Sequence, residues 1–272
     1  MDSRDRAGRD MKGTMSDDQT AAPISVQLYT LRKQTAADFP AVLARLGEKG
    51  YVGVELAGFG DLTPEQLRAV LDDAGLVVSS AHVGFQEAPE FAAALDAHAS
   101  LGCETVVVPM LGPDSFTDPD AVRVAADGVS ALDAVARERG MTLGYHNHFW
   151  ELTKMPDGRP ALLHFFDHVA PTVFAEVDSD WAQVGGCDPK ELVTELGSRV
   201  GLLHVKDGPA DEPPNPMVAV GDGAVDVRGV LEASPSARWH IVELDRCATD
   251  MFDAVERSYD YLVGSGLSRG RS

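Results

Sequence analysis

The sequence predicts a single closed (β/α)8 barrel, on three observations. Short β-branched runs alternate with longer amphipathic segments eight times along the 272 residues. The starts of those runs fall roughly 25 to 40 residues apart, the size of one βα unit. No glycine-rich dinucleotide fingerprint accompanies them, so an open doubly wound sheet has little to recommend it.

The expected strands are Ile24–Leu28, Val52–Leu56, Val77–Ala81, Thr105–Val108, Thr142–His146, Phe174–Asp178, Gly201–Val205 and His240–Glu243. The helical segments between them carry their own start and stop signals. FPAVLARLGEKG has apolar residues at helical spacing and ends on glycine. Thr63 caps PEQLRAVLDDAG, with Pro64 at the first helical position and Gly75 at the end. FAAALDAHASLG, AVRVAADGVSALDAVARERG and PKELVTELG repeat the design, and MFDAVERSYDYLVG closes the chain. The longest expected loop is the proline-rich DGPADEPPNPMVAVGDG after the seventh strand. It would lie on the C-terminal face, where barrels build their sites.

Composition excludes several functions. Lys and Arg number 23 against 43 Asp and Glu, a formal charge of −20. That excess argues against nucleic acid, whose phosphates need clustered cations, and against an anionic membrane surface. No apolar run approaches the ~20 residues that span a bilayer. Residues 1–22 read as a disordered polar tail without the apolar stretch of a secretory signal, and Met11 or Met15 is an alternative start. One domain, residues 23–267, takes the rest. Cys103, Cys187 and Cys247 lack CxxC spacing and read as reduced thiols of a cytoplasmic protein. A homo-oligomer is compatible with these features.

Barrel strands are buried on both faces and should be apolar throughout. Several here end in polar residues instead: Gln27, Glu55, His82, His146 and His148, Asp178, then His204, Lys206 and Asp207, and finally Glu243 and Asp245. A polar residue after one strand is an ordinary turn former. Strand ends of a barrel converge on one mouth, however, and ionisable groups gathered there are costly unless they bind something. Carboxylates with an imidazole suit a hard to borderline divalent ion. The expected ligands are Glu151, Asp178, His204 and Glu243, with an ion-pair network lacking metal as the alternative.

The ordered runs GYHNHFWEL, EVDSDWAQVGGCDPKELV, VGLLHVKDG, VAVGDGAVDVRGVL and HIVELDR, with ISVQLYTLR, YVGVELAGF and SSAHVGF before them, resemble the sugar phosphate isomerase/epimerase superfamily, the xylose isomerase-like TIM barrel group. Within it the chain looks most like the inosose dehydratase-like branch. The resemblance implies one divalent cation, Mn2+ first and Mg2+ or Co2+ next, held by two glutamates, an aspartate and a histidine. It assigns the aspartate to Asp178, the histidine to His204, the last glutamate to Glu243 and the first to Glu151. Ketose epimerases carry their first glutamate where this chain has His146, and a histidine where it has Trp181. Both departures weaken a ketose 3-epimerase assignment.

The implied activity is isomerisation or epimerisation of a ketose, inosose or keto-sugar, by proton abstraction next to a carbonyl through an enediolate. Elimination from an inosose or 3-keto-glycoside, a dehydratase or lyase outcome, is the alternative, and a non-catalytic sugar-binding barrel ranks behind both. Expected catalytic residues are Glu243, Glu151, His146, His148 and Lys206. Gln27, Glu55, His82, Trp181 and Asp207 are expected to bind a small-molecule sugar or cyclitol. Trp150 and Trp181 either pack on a sugar face or fill the barrel rim. No phosphate-binding loop or Arg/Lys cluster is evident, which favours an unphosphorylated substrate.

Overall fold

The computed structural model describes residues 21–271. The tail expected over residues 1–22 therefore lies outside the described residues, apart from Ala21 and Ala22. Eight strands form one closed parallel sheet in chain order: β1 Ile24–Gln27, β2 Gly53–Leu56, β3 Val77–His82, β4 Thr105–Val108, β5 Thr142–His146, β6 Phe174–Asp178, β7 Val200–Val205 and β8 His240–Val242. Closure is made by β1 on β8, where Ile24 pairs with His240 and Val26 with Val242. Among the described residues ten α-helices surround the sheet: α1 Arg32–Ala37, α2 Phe39–Lys49, α3 Pro64–Ala74, α4 Ala88–Ala99, α5 Pro119–Arg137, α6 Ala161–His168, α7 Ser179–Val184, α8 Pro189–Leu196, α9 Val227–Glu232 and α10 Met251–Gly264. Among the described residues no helix is long and apolar enough to cross a membrane.

Local chemistry sets the helix ends. Thr63 and Gln66 form a reciprocal capping box at α3, Pro64 opens the helix, and Gly75 closes it at φ 66°. That left-handed turn strains any residue with a Cβ. Gln27 ends β1 one residue earlier than expected, because its side chain accepts from the Tyr29 N–H and starts a 3-10 turn, Leu28–Leu31. Asp178 does the same at β6, accepting from the Trp181 N–H to cap α7.

Strand alternation sorts side chains into two sets. Outward residues such as Val54, Val106 and Val177 join the helices in the main core, while Val107, Leu202 and Ile241 form a small separate cluster with Phe174 and Trp239. Gly144 and Gly201 make room for Phe174, since a Cβ at either would run into its ring, and Gly53 makes room for Trp239. The inward residues at the C-terminal strand ends are polar.

Candidate active site

Period-two alternation puts Glu176 and Asp178 on the same side of β6, and the parallel register sets Asp178 beside His204 on β7 and His146 beside Glu176. His82 closes β3, and Glu243 follows β8 directly. All six side chains meet inside the barrel mouth. Three of them, His82, His146 and Glu243, line a cavity of about 350 Å³ together with Tyr29, Met110, His148 and Asp245, and Glu176, Asp178 and His204 are buried behind them.

His204 is fully buried and spans the site. Its Nδ1 lies 2.8 Å from Glu243 Oε2, and its Nε2 lies 2.6 Å from Glu55 Oε2 and 3.2 Å from Glu176 Oε2. Burial pushes its pKa down, but Glu176, Glu243 and Glu55 outweigh that and hold it well above the ordinary histidine value. Lys206 is fully buried as well. Its ammonium stands 2.7 Å from Asp178, 2.8 Å from Glu243 and 2.7 Å from Asp245. Burial favours the neutral amine, yet Asp178, Asp245 and Glu243 keep it charged, with a pKa well above normal.

The carboxylates respond in opposite directions. Burial would raise Glu243, but Lys206 and His204 hold it well below the usual range, so it is ionised. Burial pushes Asp178 up to about 7 in spite of Lys206. His146 is lowered to about 4 by burial and by His204, and burial also lowers His148 strongly, so both are neutral imidazoles at pH 7. His148 stacks on Trp150, centroids 4.4 Å apart, and meets His146 edge-on at 5.0 Å.

His146, Asp178, His204 and Glu243 each offer a ligand atom, and those atoms lie within 4.8 Å of one another. Two imidazoles and two carboxylates match a hard to borderline divalent ion in mixed N/O ligation. Asp178 Oδ1 is used by the α7 cap, while Oδ2 turns toward Lys206 and, at 4.0 Å, His146 Nε2. The donor chemistry thus fits a divalent cation.

Glu151 stands apart from this group. A 3-10 turn, Trp150–Leu152, folds it back so that Tyr145 donates to Oε1 at 2.8 Å and the His148 N–H to Oε2 at 3.0 Å. Burial raises its pKa to about 8. Both oxygens are engaged away from the cluster, in which His146 stands beside Asp178, His204 and Glu243. Asp207, expected at the substrate, is used up inside the protein. Its carboxylate accepts from the N–H groups of Gly208, Gly221, Gly223 and Val225 and so ties down the long loop after β7. Asp222 of that loop pairs with Arg257 on the surface.

Gln27 and Glu55 lie beneath the mouth as its frame. Gln27 Nε2 donates to Glu55 Oε2 at 2.7 Å, and Ser80 donates to Oε1 at 2.6 Å. Trp181 is buried behind the cavity wall, its ring 5.1 Å from Lys206 Nζ, and Lys206 itself underlies Glu243 and Asp245. His82 reaches the cavity, with Nε2 2.8 Å from Glu176. Glu176 was not anticipated. The available signal was a glutamate inside the apolar run FAEVD, two residues before Asp178, where a barrel strand has no solvent face.

The match to the family described as Xylose isomerase-like TIM barrel covers residues 42–245. The chain is 25% identical over 189 residues to the inosose dehydratase of Geobacillus kaustophilus, a match covering 61% of each chain. It is 28% identical over 173 residues to the 2-epi-5-epi-valiolone 7-phosphate 2-epimerase of an Actinoplanes species, across 59% of this chain and 61% of that one. The chain thus spans about three fifths of the length of these curated relatives. A crystal structure of a sugar phosphate isomerase/epimerase from Parabacteroides distasonis superposes with a TM-score of 0.79 at 26% identity, over 95% of this chain and 97% of that one. With its closed eight-stranded parallel barrel and a family match over three quarters of its length, the chain belongs to the xylose isomerase-like TIM barrel family.

Proposed function

We propose that this chain is a divalent-metal-dependent sugar isomerase or epimerase acting on a ketose, inosose or keto-sugar. The observation that carries the reading is the convergence of His146, Asp178, His204 and Glu243 at the base of a cavity walled by further imidazoles and carboxylates. Those four residues would hold the cation, Mn2+ in the first instance. When bound, the ion supplies positive charge that polarises a carbonyl and makes the neighbouring C–H more acidic.

The side chains divide the remaining work. Glu243 is ionised and borders the cavity, and its Oε2 is fixed by His204 and Lys206, which leaves Oε1 to take the proton. The C–H electron pair moves into the carbonyl group and gives an enediolate. Return of the proton to the other face yields an epimer, and return to the neighbouring carbon yields an isomer. Neutral His148, with His82 and Asp245, lines the cavity where these groups can orient hydroxyls and pass protons. Lys206 keeps Glu243 ionised from beneath. The free state of Cys103, Cys187 and Cys247 supports a reducing, cytoplasmic setting.

Elimination is the second reading, favoured by the relative named inosose dehydratase. It shares the proton abstraction and differs in the loss of a β-oxygen. Product NMR in D2O with Glu243→Gln, against ketoses, inososes and 3-keto-glycosides, tests both readings. The variant should lose about 10²–10⁴-fold in turnover, and near wild-type turnover would remove Glu243 as the base. Deuterium at the α carbon without loss of water marks isomerase or epimerase, and loss of water or aglycone marks the lyase.

A further inference from the structure

Beneath the mouth residues lies a second convergence that the proposed reaction does not use. Glu176 Oε2 stands 2.8 Å from His82 Nε2, 3.2 Å from His204 Nε2 and 3.3 Å from His146 Nδ1. Three imidazole nitrogens, from β3, β5 and β7, thus surround one carboxylate oxygen from β6. Glu176 is fully buried, and its other oxygen, Oε1, has no hydrogen-bond partner, nor has His146 Nδ1. A buried, half-satisfied carboxylate is costly to keep unless something else binds it. Neighbouring Glu55 provides a contrast, because Ser80, Gln27 and His204 occupy both its oxygens.

The two histidines common to both groups present one ring nitrogen to each. His204 turns Nδ1 to Glu243 and Nε2 between Glu55, at 2.6 Å, and Glu176, at 3.2 Å, while His146 turns Nε2 toward Asp178, at 4.0 Å, and Nδ1 to Glu176. The groups are therefore back to back, separated by two imidazole rings.

We propose that His82, His146, Glu176 and His204 form a second, deeper cation site, an N3O set suited to Zn2+, behind the carboxylate-richer set at the mouth. Three imidazoles and one carboxylate suit a borderline ion, whereas harder Mn2+ favours oxygen donors. His82 and His146 both border the cavity, which gives the ion a path inward. A neutral imidazole has one lone pair for a metal, so His146 and His204 serve one site at a time. Zn2+ in the deep site consequently excludes Mn2+ from the mouth. This competition rests on the proposed mouth site, while the deep site stands on its own donors.

The test uses the metal-stripped full chain with Zn2+ and Mn2+ as probes. Crystals soaked in Zn2+ should give an anomalous peak about 2.0–2.2 Å from donor atoms of His82 and Glu176. In solution, chelator competition should show Zn2+ binding weakened in His82→Asn and Glu176→Gln by clearly more than in Glu243→Gln, whose carboxylate only orients His204 and costs about 10–100-fold when lost. Mn2+ binding should fall comparably in Glu243→Gln and be spared in His82→Asn. His82→Asn carries the test if Glu176→Gln does not fold, because that side chain is partly exposed at the cavity edge. A Zn2+ peak between Asp178 and Glu243, no peak, or wild-type Zn2+ affinity in His82→Asn would overturn the proposal. Unchanged Mn2+ affinity in Glu243→Gln, with Zn2+ at His82 and Glu176, would overturn the mouth site and the competition while upholding the deep one.

Discussion

Replacing Lys206 by methionine keeps most of the side-chain volume and removes the ammonium that faces Asp178, Glu243 and Asp245. The contacts are 2.7, 2.8 and 2.7 Å. At an effective dielectric of ~20, each such pair is worth about 6 kcal/mol of gross attraction. Most of that is offset by the cost of burying the ammonium, and the Asp245 pair is weakened further by solvent, since that side chain is 21% exposed. The loss comes chiefly from leaving Asp178 buried without its ammonium and Glu243 with His204 alone, and such truncations cost about 3–5 kcal/mol. Urea unfolding in chelator, followed by tryptophan fluorescence, should show a loss of that size for Lys206→Met. Mn2+ at about 100 times the variant's Kd should then return about 2.7 kcal/mol, because the ion brings positive charge to the same carboxylates. A loss below about 1 kcal/mol in chelator would refute the view that Lys206 is their principal internal counter-ion.

Glu151 gives a pH signature. Its folded pKa of about 8 lies above the ordinary 4.5, so the folded chain retains a proton that the unfolded chain has released. Its contribution to stability is complete below about pH 4.5 and is lost as pH rises toward 8, with a slope of up to ~1.4 kcal/mol per pH unit. Glu151→Gln should flatten that part of the stability curve, and an unchanged curve would show that the carboxyl is ionised throughout. Asp207→Ala strands four backbone N–H groups and should destabilise by about 3 kcal/mol while exposing residues 208–225 to protease, with cleavage monitored by mass spectrometry. Removing metal with chelator should abolish turnover of a cognate keto-sugar and Mn2+ should restore it; full activity after exhaustive dialysis, with no metal detected by elemental analysis, would exclude metal dependence.

The strands were legible to within a residue or so because β-branched runs bounded by glycine and proline leave little freedom of placement. Thr105–Val108, Thr142–His146 and Phe174–Asp178 coincide with the expected spans. At the mouth, His146, Asp178, His204 and Glu243 could be found because each stands at or just past a strand end. Glu151 misled because it is only five residues beyond His146. Nothing in its spacing reveals that a 3-10 turn sends it back to Tyr145. Asp207 misled for a related reason, since its four N–H partners come from across a long loop whose path no local pattern encodes. Glu176 was hidden by its surroundings: an apolar run reads as core, and its contacts with His82, His146 and His204 come from three other strands.

The aromatic packing at the far end of the barrel has a consequence for traffic. Phe174 and Trp239, seated over glycines 53, 144 and 201, cover the floor beneath Val107, Leu202 and Ile241. Among the described residues the interior is closed at that end, and the cavity opens past Tyr29, Met110, His148 and Asp245. If the proposed reaction takes place there, product would have to leave by the way substrate enters. On the proposed function, product would compete with substrate for that space, and widening the doorway would relieve the inhibition where loosening the floor would not.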